Sequence, residues 1–550
     1  MTLWRRSFLL QGLLGLTAVL SPIWLRAGRS NSGEASSSTP GASSRLKLRV
    51  QPTRLKVLGR EVTILSILNP AGGRGLELDQ AAGFHVEVIN HLQVPTGIHW
   101  HGLLLPDRMD GVPFVSQKPI APGASDSYDF PLKQSGTYWM HAHYGLQEQH
   151  LLAAPLVIWS ARERALAARQ FVVMISDFSF RSPQAILQEL RSSSGMGAME
   201  GMAGMEGMGG MAMAGMTMAP PVQSVATAPA LPKVLQQIWD SESGRLTSQL
   251  APGRPGASDV RYDALLANHR SIDDAEILVV QPGETVLLRL IGGCCATNVY
   301  IDTGKLEATV LATDGSPCQP LQGNFFQLAI AQRLDLRFTL PQAAGVFSLL
   351  IRAEGRELLA AVVLSSAGAG AGAQAVAALP SKATIVTAGL NGLQETRLKA
   401  LAPLKSRPVD RQLELVLAGT MHGYQWTING ASYPNHNSLL VRQGERVAIR
   451  FKNSNGMGHP MHLHGHVFQV VEINGQALDG PLRDTVLVPP GGDCVVILDA
   501  NQAGIWAFHC HILYHAEAGM FTVLRYEGVD SRFWQPEQMA AAMEHHALGS

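Results

Sequence analysis

Cysteine is scarce in this chain: five in 550 residues, with Cys294 and Cys295 adjacent, Cys318 and Cys494 alone, and Cys510 between two histidines. Such a set builds no disulfide framework. Charge is short as well, at 16% of residues against roughly 25% in an average domain. Lys plus Arg and Asp plus Glu each number 43, so the formal net charge is zero. That balance leaves no long-range field to draw nucleic acid or an anionic membrane surface. No glycine-rich phosphate cradle follows a strand and opens a helix, which weakens any nucleotide-binding reading. What the chain does have is apolar content: hydrophobic residues reach 46%, enough for several cores and too much for bulk disorder. At roughly 150 residues per domain, the length implies three or four domains.

The N-terminus reads Trp4-Arg5-Arg6-Ser7-Phe8-Leu9-Leu10 and continues apolar to Leu25, broken by Pro22 and closed by Arg26. A basic start before an apolar stretch is the form of an export signal, and the arginine pair suggests the twin-arginine route to the periplasm. A retained membrane anchor is the alternative. A tether rich in Ser, Gly, Pro and Ala follows, and residues 1–45 are set apart as signal and tether. Beyond it, short runs rich in Val, Ile, Leu and Phe recur between turn residues, as at 84–89, 277–280, 285–290, 334–339, 446–451 and 495–498. This spacing suits antiparallel β-sandwiches rather than βαβ units. A related phrase precedes strand-like runs at 121–124 (Ala-Pro-Gly-Ala), 281–284 (Gln-Pro-Gly-Glu) and 442–445 (Arg-Gln-Gly-Glu), and suggests three related sandwiches. The expected division is 46–165, 166–365 and 381–528, with a linker at 366–380 and a C-terminal tail at 529–550. Within the second segment, residues 195–218 hold Met196, Met199, Met202, Met205, Met208, Met211, Met213, Met216 and Met218, nine of the 19 methionines. Seven glycines among residues 195–210 oppose a helix at roughly 1 kcal/mol each, so a loop is expected.

Histidine carries the chemistry. With 19 histidines, chance placement yields about 0.65 His-x-His pairs, yet there are five. They are His99/His101, His141/His143, His462/His464, His464/His466 and His509/His511. In a strand, alternate side chains share a face, so each pair presents two imidazoles at one surface. Faces of this kind can enclose a cluster of metal ions. His466 fits no further spacing rule and is the weakest member. The run from His509 to Met520 adds Cys510, His515 and Met520, a thiolate, an imidazole and a weak axial thioether of the blue-copper type. His459, three residues before His462, can supply the second imidazole. Alternation then turns Cys510 to one side of its strand and His509 and His511 to the other.

These motifs resemble those of the multicopper oxidases: His99-Trp100-His101-Gly102, Trp139-Met140-His141-Ala142-His143, His459-Pro460-Met461-His462-Leu463-His464-Gly465, and the His509 to Met520 run. The bacterial copper-resistance branch is the most similar, through the stretch 145–149 after the second motif, the wording at 514–520 and the Met-rich insertion. The resemblance implies an all-β protein of three cupredoxin-like Greek-key β-sandwich domains with four copper ions. It implies a type 1 copper on His459, Cys510, His515 and Met520, and a type 2 copper on His99 and His462. A type 3 pair would use His101, His141, His143, His464, His509 and His511. It also implies O2 as acceptor, one-electron substrate oxidation, and an acid beside the cluster at the position of Asp110. Ala516 stands where some relatives place a second proton-relay acid, and Glu517 is the nearest carboxylate.

The expected reducing substrate is Cu(I), gathered by the Met run, because soft thioethers select that ion. A laccase-like oxidase of small phenols or amines is the alternative, as is a copper-sequestering binding protein. Sequestration needs no cysteine-linked cluster. The expected partners are O2 and the reducing substrate, with no nucleic acid, a membrane only through the export signal, and a monomeric chain. If the arginine pair directs export, replacing Arg5 and Arg6 together by Lys leaves the protein in the cytoplasm, as fractionation of the producing cells would reveal.

Overall fold

The computed structural model describes residues 45–165, 168–192, 231–530 and 533–548. The export segment and the methionine run therefore lie outside the described residues. Three β-sandwiches follow one another along the chain. The first pairs the sheet of Arg60–Leu68, Leu46–Val57, Phe84–Asn90 and Ser125–Phe130 with the sheet of Leu76–Asp79, Ala153–Trp159, Gly136–Ala142 and Ile98–His101. The second has eight- and five-stranded sheets, and the third has seven- and five-stranded sheets. Strand Phe84–Asn90 shows how sequence makes such a layer. Its Phe84, Val86 and Val88 face the core while the residues between them stay partly exposed.

The sheets are mixed rather than purely antiparallel. In each sandwich the opening strand lies parallel to a later one: Leu46–Val57 with Phe84–Asn90, Arg169–Phe178 with Thr285–Gly292, and Arg411–Thr420 with Arg446–Asn453. Between the two, the chain crosses to the opposite sheet through Leu76–Asp79, Glu276–Val279 or Leu439–Val441, and so returns in its original direction. Each crossing strand is in turn parallel to a late strand of its own sheet. Period-two alternation is the same in parallel and antiparallel pairs, which is why the pattern could not separate them.

The repeated turn phrase needs one correction. Gly283 and Gly444 have φ of +72° and +89°, and both turns link the crossing strand to the returning one. The first sandwich makes that link at Gln80–Ala82 and Gly83, with Gly83 at φ +74°. The turn at 121–124 instead leads into Ser125–Phe130, which is antiparallel to Phe84–Asn90, and so is not its counterpart. The stretch 366–380, expected as a linker, is helical over Ala369–Ala377 and packs on Glu276–Val279 and Leu359–Ser365. Alanine favours the helix, and at Gly372 a Cβ would come within 2.6 Å of Ile277. The tail forms a helix over Pro536–Leu548, anchored by Gln535 N–H on the Phe114 carbonyl and by buried Met539. Among the described residues no helix is long and apolar enough to cross a membrane.

The segment leading to the third sandwich is fastened to the second through Glu354. Its carboxyl accepts Asn298 Nδ2 at 2.7 Å and Leu390 N–H at 2.8 Å, and no cation faces it in those contacts. Burial pushes this group up to about 7, against the two hydrogen bonds that favour its charge. A raised carboxyl favours the fold below its unfolded value, and that stability is lost as pH rises towards the folded value. The stability difference between parent and Glu354→Gln should therefore change by about 3 kcal/mol from pH 4.5 to 7, then level off. Chemical denaturation across that range measures it.

Candidate metal centres

Four strands build the site. Ile98–His101 and Gly136–Ala142 pair antiparallel in the first sandwich, placing His99 opposite His141. His459–Leu463 and Ile505–Cys510 do the same in the third, placing His462 opposite His509. Nearly all residues of these strands are buried on both faces, because the first and third sandwiches meet across them. The rings interleave: His101 stacks on His462 at 3.7 Å between centroids, and His99 lies 3.8 Å from His464. His143, His464 and His509 converge, with His509 Nε2 at 3.3 Å from His143 Nε2 and 3.1 Å from His464 Nε2.

In six of these imidazoles one ring nitrogen is tied to protein and the other is left facing its neighbours. His99 Nδ1 donates to the Asp110 carbonyl at 2.9 Å, His462 Nδ1 to the Asp484 carbonyl at 2.9 Å, and His509 Nδ1 to the Cys510 carbonyl at 2.9 Å. His464 Nδ1 meets Asp110 Oδ2 at 2.9 Å, and His141 Nδ1 meets Glu148 Oε2 at 3.0 Å. His101 is reversed: its Nε2 faces Asp484 Oδ1 at 3.1 Å and Thr485 Oγ1 at 3.2 Å. The remaining nitrogens, Nε2 of His99, His141, His462 and His511 and Nδ1 of His101, are buried with no hydrogen-bond partner. Orphaned buried nitrogens that converge are what a metal cluster requires, since each would otherwise carry an uncompensated desolvation cost. Burial holds His101, His143, His462, His464 and His511 well below the usual imidazole value, helped by their like-charged neighbours, and takes His509 down to about 3. They are neutral at ordinary pH, the form that binds metal.

On the other face of the last strand, Cys510 Sγ lies 3.6 Å from His459 Nδ1 and 3.8 Å from His515 Nδ1, and these two nitrogens are 3.3 Å apart. The outer nitrogens are held by Asn455 Oδ1 on His459 (2.9 Å) and Asp259 Oδ2 on His515 (3.1 Å). Trp426 stacks on His515 at 3.7 Å. Met520 is fully buried, its carbonyl accepting Cys510 N–H at 3.1 Å and its N–H donating to His515. A thiolate, two imidazoles and a neighbouring thioether fit copper by the softness of the donors.

His466 does not join either group. Its Nδ1 donates to the His464 carbonyl at 2.9 Å and its Nε2 pairs with the Tyr526 hydroxyl at 2.7 Å, so both nitrogens are used. Asp110 lies between His99 and His464 and is 1% exposed. Glu517 lines the cavity beside His143, His509 and His511, and desolvation raises its carboxyl to about 8. Sequence reasoning did not assign Glu148, Asn455, Asp259, Asp484 or Arg333. Glu148 stands five residues after His143 and Asn455 four before His459, close enough to raise suspicion. Asp259 and Asp484 touch their histidines from 256 and 383 residues away, beyond any spacing rule.

Family models described as multicopper oxidase match residues 49–163, 233–369 and 406–529. Multicopper oxidase MmcO of Mycobacterium tuberculosis is 32% identical over 522 residues, spanning 94% of this chain and 91% of that protein. Copper resistance protein A of Escherichia coli is 27% identical, spanning 95% of this chain and 99% of its own. A laccase of Pycnoporus cinnabarinus is 27% identical across 81% and 82% of the two chains. In fold, the structure of Fet3p, described as a multicopper oxidase that functions in iron import, superposes with a TM-score of 0.66 at 18% identity, covering 92% and 95% of the chains. His466→Gln should bind as much copper as the parent, while His464→Gln should bind less, as metal analysis of the purified proteins reports.

Proposed function

The chain belongs to the multicopper oxidases, and from that premise we propose an exported cuprous oxidase, a periplasmic monomer that converts Cu(I) to Cu(II) in copper tolerance. As a member of the family it is an oxidoreductase that takes four copper ions and uses O2 as acceptor. The Cu(I) reading is carried by the nine methionines of residues 195–218, soft donors in a glycine-rich stretch. The relatives named copper resistance protein A support it.

In this reading His459, Cys510, His515 and Met520 hold one copper, His99 and His462 a second, and His101, His141, His143, His464, His509 and His511 the remaining pair. When bound, the metals supply one-electron oxidation of the substrate and four-electron reduction of O2 to water. The protein's own part is positional. Cys510 joins the two ends covalently, since its side chain meets His459 and His515 while the adjacent His509 turns to His143 and His464. Asp110 places a carboxylate against His464 Nδ1, where a proton can be held beside the cluster. Asn455 and Asp259 orient the imidazoles of the other end from outside.

Copper-dependent O2 uptake with Cu(I), Fe(II) and a phenol side by side tests the substrate. Deleting residues 195–218 should leave the visible thiolate absorption unchanged while raising the apparent KM for Cu(I) several-fold. Unaltered Cu(I) kinetics with faster phenol oxidation would favour the laccase-like reading, and copper binding without O2 uptake would favour sequestration. Cys510→Ser should abolish both the absorption and the oxidase activity while the circular dichroism of the sheets persists.

A further inference from the structure

Arg289, Arg333 and Arg483 are all fully buried, yet only Arg333 contacts a group that itself holds a cluster histidine. It begins the strand Arg333–Thr339 of the second sandwich and reaches both others. Its Nε donates to the Thr137 carbonyl of the first sandwich at 3.2 Å, and Nη1 donates to Asp484 Oδ1 of the third at 2.7 Å. Nη2 grips Asp484 Oδ2, completing a bidentate pair with no exposure to water on either side. Asp314 braces the arrangement, accepting Arg333 N–H at 2.8 Å and Arg483 Nη1 at 3.0 Å.

Asp484 in turn serves two imidazoles. Its Oδ1 faces His101 Nε2 at 3.1 Å, and its backbone carbonyl accepts His462 Nδ1 at 2.9 Å. His101 is the histidine whose Nδ1, not Nε2, is left free and buried. That reversal requires an acceptor at Nε2, and Asp484 is the anionic one. We propose that Arg333 is a positioning residue for the cluster: by fixing Asp484 from the second sandwich, it sets the tautomer and orientation of His101 and anchors His462. The proposal rests on the ligand reading above.

A second observation points the same way. Gly102, the last residue of the His99-Trp100-His101-Gly102 motif, has φ +89°, and a Cβ there would lie 2.5 Å from both Arg333 Nη2 and Asp484 Oδ2. The glycine thus leaves room for the ion pair beside His101. A lysine could neutralise Asp484 but could not engage both oxygens with a planar fork. Without the bidentate partner, nothing would fix the orientation of the buried carboxylate, and His101 Nε2 would lose its acceptor.

Arg289 provides the control. It bridges Thr137 Oγ1 and Asp335 at 2.9 Å each and Glu163 at 3.2 Å, joining the first and second sandwiches with no histidine among these partners. The test compares copper-loaded parent, Arg333→Gln, Arg333→Lys and Arg289→Gln by copper content, chelator competition, electron paramagnetic resonance and visible thiolate absorption. Arg333→Gln should keep the thiolate absorption but release cluster copper about 10- to 100-fold more readily, with an altered resonance from the non-blue copper. Arg333→Lys should fall between it and the parent. Arg289→Gln should lower Tm without moving the copper readouts. Parent-like copper retention in Arg333→Gln overturns the proposal, and so does an equal loss in Arg289→Gln. If Arg333→Gln does not fold, Gly102→Ala, which keeps every polar partner, should give the same selective loss; full retention there overturns the proposal. A parent without four coppers would instead overturn the ligand reading on which it stands.

Discussion

The structure depends on a division of labour within single imidazole rings: one nitrogen is bound to the protein, and the other is buried with nothing to bond. Five such orphaned nitrogens lie among His99, His101, His141, His462 and His511. Leaving such a nitrogen unpaired in a dry site costs on the order of 1–3 kcal/mol. A metal bound there would offset that cost and stabilise the fold by mass action. The same burial holds His101, His462 and His511 well below the usual imidazole value, which lessens the competition between proton and metal for the free nitrogen.

Holding so many rings in place demands a scaffold with little freedom, and the three sandwiches provide it by different means. The first and third contribute strands whose faces are both buried, so the histidine pairs cannot turn out to solvent. The second contributes none of the proposed ligands but supplies two of the charges behind them. Arg333 reaches Asp484 behind the cluster, and Asp259 reaches His515 behind the mononuclear centre. Both ends of the proposed site are therefore backed by side chains of the sandwich that supplies none of the proposed ligands.

Legibility along the chain followed the range of the interactions. The His-x-His pairs and the Cys510 run could be read because their chemistry lies within a few residues, and strand alternation converts spacing directly into facing. The parallel pairing of opening and returning strands could not, since alternation has the same period in either direction. The helix at Ala369–Ala377 was hidden by its glycines, of which Gly372 is required by close packing on Ile277. The turn at 121–124 shared a phrase with 281–284 and 442–445 but not a place in the topology, because the phrase encodes a tight turn and says nothing of which strands it joins.

By itself, then, the sequence determined which residue types stand ready to bind metal, which of them share a strand face, and that Cys510 lies between two histidines pointing away from it. Those properties are local, set by the covalent chain and the pleat. Only the tertiary structure decided which nitrogen of these rings is free, that His466 is satisfied by Tyr526 and stands apart, that Asp259 and Asp484 meet His515 and His101 from hundreds of residues away, and that Arg333 grips Asp484. Those outcomes follow from the packing of three sandwiches against one another, where a hydrogen bond is chosen by proximity in space and by the cost of leaving a buried donor unpaired.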